Sequence, residues 1–463
     1  MSAEKCVGDF VSLQRGNTYK SALLDQPGPY LLGLASIARE GGFRDDKLRT
    51  YGGPNADKLL LYPGDMYVSL KDVTQSGDLL GSVARVPDEI PVGRITQDTV
   101  KLVFKQKNAP KAYLYWVLRS PQYRAHCRAR AMGTTNLSLS REDFLSYPVP
   151  ELNATRQQLV AALEAIEAKI TLNHQVNQTL EQMAQAIFKS WFVDFDPVKA
   201  KVAALEAGSS EEDALLAAMQ AISGKSLKQL QRLKNDSPKQ YAKLEATAEL
   251  FPASMQDSEL GEIPEGWGVG KLSDIATFPS NRISTEELSQ ETYVSTENML
   301  ENRRGVCSAF SLPSSATVPG FESKQILISN IRPYFKKIWF ASHSGGRSPD
   351  VLCFESKCQG ASEFLYNLLY QDRFFDYMML TSKGAKMPRG DKKAIMQLML
   401  AVPRVELMQC FSEHVEAFYK LVNSNSLETK LLASTRDTLL PKLLSGELRL
   451  PAAEEQVAEE ADA

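Results

Sequence analysis

Two short stretches combine cations, small polar side chains and a glycine in a way that suits binding to an anionic polymer. The first is Arg128-Ala-Arg130-Ala-Met-Gly133-Thr134-Thr135-Asn136, and the second is Ser382-Lys383-Gly384-Ala-Lys386-Met387-Pro388-Arg389. A glycine lets the backbone turn tightly and come close to a ligand, while the flanking Arg, Lys, Thr and Asn offer donors to phosphate oxygens or to a groove. Lys71 and Gln75 in the first part of the chain, and Asn330, Arg332, Tyr334, Lys336, Lys337 and Arg347 in the second, extend the candidate set. Arginine is the natural bidentate partner of guanine, and Asn or Gln of adenine. Any one Lys or Arg among them, taken singly, is better explained as a solvated surface charge. The two glycine-centred stretches stand out because they occupy equivalent places in an internal repeat.

Covalent chemistry has no comparable support. Asp196-Pro197-Val198 is not the Asp/Asn-Pro-Pro-aromatic string of a DNA methyltransferase, and Gly266-Trp267-Gly268-Val269-Gly270 lacks the strand-then-helix setting of a dinucleotide loop. No Gly-x-x-x-x-Gly-Lys-Ser/Thr phosphate loop occurs. The four histidines show neither triad nor metal-ligand spacing. The six cysteines are scattered and suggest free thiols in a reducing cytoplasm. The N-terminus carries no secretory pattern, and no apolar run is long enough for a membrane span, so a cytoplasmic protein without membrane contact, bound cofactor or metal is expected.

The candidate stretches must be positioned by larger elements, and these repeat. Leu159, Leu163, Ile166, Ile170, Asn173, Asn177, Leu180, Ala184, Ile187 and Trp191 step by alternating four and three residues. Adding 252 to each number yields Phe411, Val415, Phe418, Val422, Asn425, Thr429, Leu432, Arg436, Leu439 and Leu443, the same seam without a gap. The polar interruption Asn173/Asn177 returns as Asn425/Thr429. A seam of period 3.5 requires a partner seam, and the other helix of the same chain is the obvious one. Each helix of roughly 38 residues would be about 57 Å long. Pro150 and Pro403 suit helix entrances, while Pro441 and Gly446 suit the end of the second helix. Upstream, Tyr113-Leu114-Tyr115 matches Phe364-Leu365-Tyr366, Gly133 matches Gly384, and Val149-Pro150 matches Val402-Pro403.

Between the helices the blocks are strand-rich. Leu59–Tyr62, Pro63-Gly64-Asp65 and Met66–Leu70 read as strand, turn and strand. Residues 197–260 read as a charged helical connector without a core of its own, and the tail 451–463 as acidic and disordered. The net charge is −3, yet residues 1–150 carry +5 and residues 261–405 carry +2, so the positive charge sits in the two repeated blocks.

These strings resemble the specificity subunits of type I restriction-modification systems over nearly the whole chain. TRQQLVAALEAIEAKI (155–170) and KSWFVDFDPVKAK (189–201) are similar to the two ends of the family's first conserved helix. LLPKLLSGELRL (439–450) is similar to the end of the second. LFPASMQDSELGEIPEGW (250–267) resembles the opening of the second recognition domain, and LYPGDMYVS (61–69) a strand-turn-strand of such domains. The resemblance implies an α+β architecture of two mixed α/β target recognition domains, at 1–150 and 261–405, separated by two long antiparallel coiled-coil helices at 151–196 and 406–450 in a pseudo-twofold repeat. It implies that the chain is non-catalytic and reads a split site on double-stranded DNA. Two methyltransferase subunits would dock on it, and two motor-nuclease subunits would complete the complex. S-adenosylmethionine, ATP and Mg would then belong to those partners. Recognition domains differ from one family member to the next, so no base-contacting residue carries over. Two other readings stay open: a coiled-coil adaptor without a DNA role, and a specificity subunit of a methylation-only defence system. A self-sufficient modification enzyme would need the motifs that are missing.

Overall fold

A computed structural model describes residues 5–45, 47–134, 136–384 and 386–442. The chain divides into two compact units, one made of residues up to 173 with those from 427 on, the other of residues 174–426.

In the first unit the strands Val11–Arg15, Thr99–Phe104, Met66–Ser69 and Val83–Arg85 form one antiparallel sheet in that spatial order. Every residue of Met66–Ser69 is buried, because Met66 and Val68 enter one core and Tyr67, on the opposite face, another. A smaller sheet sets Tyr30–Leu32 parallel to Gly93–Ile95, with Leu60–Leu61 on the other side. The helices Lys111–Val117 and Pro121–Ala129 follow. The Ser120 side chain accepts from the Tyr123 amide, and Pro121 sits in the first turn, two features that start a helix. Trp116 and Leu114 pack into one core with Leu159 and Leu163 of the first long helix. Glu164 of that helix accepts from Trp116 Nε1 at 2.6 Å and pairs with Arg85 at 3.0 Å.

The second unit repeats the two sheets and the helix pair of this plan. The strands Ala276–Thr277, Val351–Ser356, Ile326–Ser329 and Ile338–Phe340 form the larger sheet. In the other, Tyr293–Val294 runs parallel to Gly345–Arg347, as Tyr30–Leu32 does to Gly93–Ile95. The helices Ser362–Tyr370 and Asp372–Leu380 take the places of the pair in the first unit.

The long helices are Ala154–Phe192 and Val405–Leu439. The second ends two residues before Pro441, whose ring disfavours a helical residue ahead of it. Leu443, Gly446 and the acidic tail lie outside the described residues. Within the first unit, Asn173 Nδ2 donates to Glu428 Oε2 at 2.8 Å, and Arg436 pairs with Glu167 at 3.1 Å. Within the second, Asn425 Nδ2 donates to Asn177 Oδ1 at 2.8 Å, and the rings of Phe188 and Trp191 lie 5.6 and 5.8 Å from Phe411. In both units rising numbers on one helix meet falling numbers on the other, so the helices run antiparallel. Leu159, Leu163, Phe411 and Val415 are buried, because a domain core covers them as well. Ile166, Ile170, Leu180, Ile187, Phe418, Val422, Leu432 and Leu439 are only half-buried, since two helices alone cannot enclose a seam.

The stretch 197–260, read as a charged helical connector without a core of its own, is helical and packs into the core of the second unit. It holds four helices, Asp196–Glu206, Glu211–Ser223, Leu227–Asp236 and Pro238–Glu249. Val198, Ala218, Met219, Leu230 and Ala248 join Phe251, Phe188 and Trp191 in the core of the second unit. Lys201 is buried there, its Nζ donating to the Phe251 carbonyl at 2.6 Å, and burial lowers its pKa. Each helix contributes only a few apolar residues, so charge dominates the composition while the buried faces converge. Among the described residues, no helix is long and apolar enough to cross a membrane, and no group of three His, Cys, Asp or Glu could hold a metal.

Candidate nucleic-acid interface

The two glycine-centred stretches share one backbone geometry. Met132 and Ser138 exchange both backbone hydrogen bonds at 2.9 Å, and Lys383 and Arg389 do the same at 2.9 and 3.0 Å. One residue after the first closing position stands the glycine, with φ +101° at Gly133 and +96° at Gly384. Both angles lie in the left-handed region, where a side chain is strained. At Gly133 a Cβ would also fall 2.3 Å from the Asn136 carbonyl oxygen.

Each loop lies against the end of the central strand of its unit. Ser138 pairs with Lys71, and Arg389 bridges to Ile331. Ser69 Oγ donates to the Lys71 carbonyl at 2.5 Å, and Ser329 Oγ to the Ile331 carbonyl at 3.1 Å. Lys71 and Ile331 are thus equivalent, and so are the next residues, Asp72 and Arg332. In each unit the loop that follows the strand is stitched to the glycine loop. Gln75 Nε2 donates to the Thr134 carbonyl at 3.2 Å, and the Arg332 amide donates to the Pro388 carbonyl at 2.9 Å.

In the first unit the described candidates are exposed, but all three cations have carboxylate partners. Lys71 pairs with Asp98 at 3.4 Å, Arg130 with Asp143 at 3.5 Å, and Arg128 with Glu40. Thr134 and Asn136 are exposed at the loop tip, while Thr135 lies outside the described residues.

In the second unit two candidates prove internal. Arg347 is 7 % exposed, with Nε donating to the Gly320 carbonyl at 3.3 Å and Nη1 to the Val351 carbonyl at 2.7 Å. It closes the small sheet and offers nothing to an outside ligand. Asn330 is likewise buried, its amide donating to the Asp350 carbonyl at 2.9 Å. Lys337 is half-buried and donates to the Thr296 carbonyl at 2.8 Å. Lys383 pairs with Asp391 at 2.6 Å, Arg389 with Asp350 at 3.2 Å, and Lys336 with Asp372 at 2.7 Å. The bonds from Lys336 and Arg303 hold the Asp372 carboxyl below the usual carboxylate range, and Lys383 does the same for Asp391. Lys386, Tyr334 and Arg332 are exposed.

Sequence reading passed over the residues that brace these loops. Arg124 is 2 % exposed, pairs with Glu40 at 3.0 Å and donates to the Gly77 and Asp78 carbonyls. The buried Asp72 accepts from the amides of Thr74 and Leu79 and from the Thr74 hydroxyl. Arg94 is 3 % exposed and stands where Arg347 stands in the other unit. Its ring contact is Tyr51 and Nη2 donates to the Thr18 carbonyl at 3.1 Å, while among the described residues Nε and Nη1 have no hydrogen-bond partner. The spacing of Gly93-Arg94 and Gly346-Arg347 at 253 residues was a signal of this equivalence.

No protein-family model matches the chain. It is 32% identical over 329 residues to the type I restriction enzyme HindI specificity subunit of Haemophilus influenzae, a match covering 66% of this chain and 69% of the relative. It is 22% identical over 362 residues to the MjaIX specificity subunit of Methanocaldococcus jannaschii, covering 73% of this chain and 69% of the relative. Among solved structures, the S subunit of a type I restriction-modification system from M. genitalium aligns over 95% of both chains, at 14% identity and a TM-score of 0.48.

Proposed function

The chain belongs to the type I restriction enzyme specificity subunits, and on that premise we propose that each of its two units reads one half of a split double-stranded DNA site. The observation that carries this reading is the pair of stitched loops, which recur with the same backbone geometry, the same left-handed glycine and a cluster of cations in both units. Two pseudo-equivalent readers on one chain suit half-sites about one DNA turn apart, ~34 Å, with unread bases between them. The loop cations meet phosphates, and specificity comes from base edges. The antiparallel helices act as the ruler between the readers.

The chain itself is non-catalytic in this reading. Methyl transfer from S-adenosylmethionine falls to two methyltransferase subunits docked on it, and ATP- and Mg-dependent cleavage to two motor-nuclease subunits, all in the cytoplasm. The test is long-read methylation sequencing of a host carrying the gene with its genomic neighbours, beside a deletion of this gene alone. The expected result is loss of methylation at one motif of two short half-sites. An unchanged methylome, together with no salt-dependent DNA binding by the purified complex, would favour a coiled-coil adaptor. Methylation without cleavage of unmodified DNA would identify a methylation-only system.

A further inference from the structure

We propose that Arg332 is the guanine-reading residue of the second unit, with Lys386 of the stitched glycine loop holding a phosphate. The inference rests on reading that unit as a half-site reader, and it follows from how the local cations are committed.

Lys336, Lys383 and Arg389 each pair with a carboxylate, and the Arg347 guanidinium is turned into the protein. Arg332 and Lys386 are exposed and have no such partner among the described residues. Their chemistry then separates them. A guanidinium presents a planar fork that matches the O6 and N7 acceptors of guanine, whereas an ammonium is a point charge suited to a phosphate oxygen.

The backbone points the same way. Arg332 has φ +50°, in the left-handed region, where a residue with a side chain is strained and glycine is not. The strain is held in place: the Arg332 amide donates to the Pro388 carbonyl at 2.9 Å and its carbonyl accepts from the Phe335 amide at 3.0 Å. Strained side-chain-bearing positions gather where the side chain has a task. The same two stitched loops also expose Tyr334, at 48 %, and Met387, at 49 %. Exposed apolar groups on a reading loop suit contact with a thymine methyl. At the equivalent position the first unit has Asp72, fully buried and spent on its own loop. Arg332 is therefore particular to the second half-site.

The experiment compares the wild-type chain with Arg332→Gly and Arg332→Lys, each co-expressed with the neighbouring methyltransferase gene in a host free of methylation. Arg332→Gly relieves the left-handed strain and should melt no lower than wild type, so a binding change cannot be ascribed to misfolding. Methylation sequencing first gives the wild-type motif, and its absence would overturn the parent reading and this one with it. The purified complexes are then titrated with duplexes of that motif, varied one base pair at a time. Both variants should lose about 10- to 100-fold of their selectivity at one G·C pair of one half-site and keep the other half-site intact. If Arg332→Lys keeps wild-type selectivity while Arg332→Gly weakens all duplexes equally, Arg332 is a phosphate contact and the assignment fails. Unchanged selectivity in both variants overturns it as well.

Discussion

At one point of the repeat the two units hold side chains of opposite charge and opposite direction. Asp72 is buried and clamps the loop that follows it through the amides of Thr74 and Leu79. Arg332 faces solvent from a strained backbone. The strand before, the serine that donates to the next-but-one carbonyl and the glycine loop alongside are the same in both. A common scaffold thus carries different chemistry where strand gives way to loop, because strand and sheet satisfy the backbone while loop side chains are free to differ.

The largest effect should come from the clamp itself. Asp72→Ala leaves two amides without an acceptor inside the first unit, and should destabilise that unit by about 3 kcal/mol. Arg332→Ala should change stability by a few tenths at most, and thermal unfolding of the two variants side by side would expose a false contrast if the shifts came out alike.

The buried arginines supply the next comparison. Arg347→Met strands the Gly320 and Val351 carbonyls and should lower stability by about 2 kcal/mol. Arg94→Met removes a guanidinium with two unpartnered nitrogens and should be close to neutral. Denaturant midpoints for both would decide, and equal losses would mean that Arg94 is held by partners of its own.

The helix carboxylates differ between units too. Glu164 and Glu167 pair with Arg85 and Arg436 in the first unit. In the second, Glu181 lies among Tyr366, Tyr370 and Tyr419, with Arg303 acting on the first two of these rings, and burial pushes its carboxyl up to about 7. A carboxyl whose pKa is raised on folding favours the folded state in its protonated form. Its contribution is full below the ordinary value near 4.5 and is lost as pH rises through about 7. Glu181→Gln should therefore stabilise the second unit at pH 8 by about 1–2 kcal/mol relative to wild type and have little effect at pH 4. Melting curves across that range would show it, and a pH-independent difference would contradict it.

The smallest effect concerns the paired glycines. Alanine at either strains a left-handed backbone, by about 1 kcal/mol. Gly133→Ala should exceed Gly384→Ala, since its Cβ would meet a carbonyl oxygen at 2.3 Å against 3.2 Å. Stability curves that reverse this order would show that the two loops relax differently.

The seam, its polar interruption and the glycine loops were legible in the residues. Helix period and the demand for φ > 0 are local properties that residue type reveals. Asn173 and Thr429 meet, as do Asn177 and Asn425, within an antiparallel pairing whose direction the period alone leaves open. The helices of 197–260 were legible too, but not that their few apolar residues converge on Phe188 and Trp191, because those contacts are distant along the chain.

The amino-acid order was enough to establish a chain of two like halves, each with a period-3.5 helix and a glycine loop, because those features depend on neighbours within a turn or a hairpin. Which cations face outward depended on the folded chain. Arg332 and Arg347 are the same residue type, and the carbonyls of Val351, four residues on, and of Gly320, brought in from a strand 27 residues back, turn Arg347 inward. A guanidinium goes where its hydrogen bonds can be satisfied, and in a sheet those partners are set by tertiary pairing.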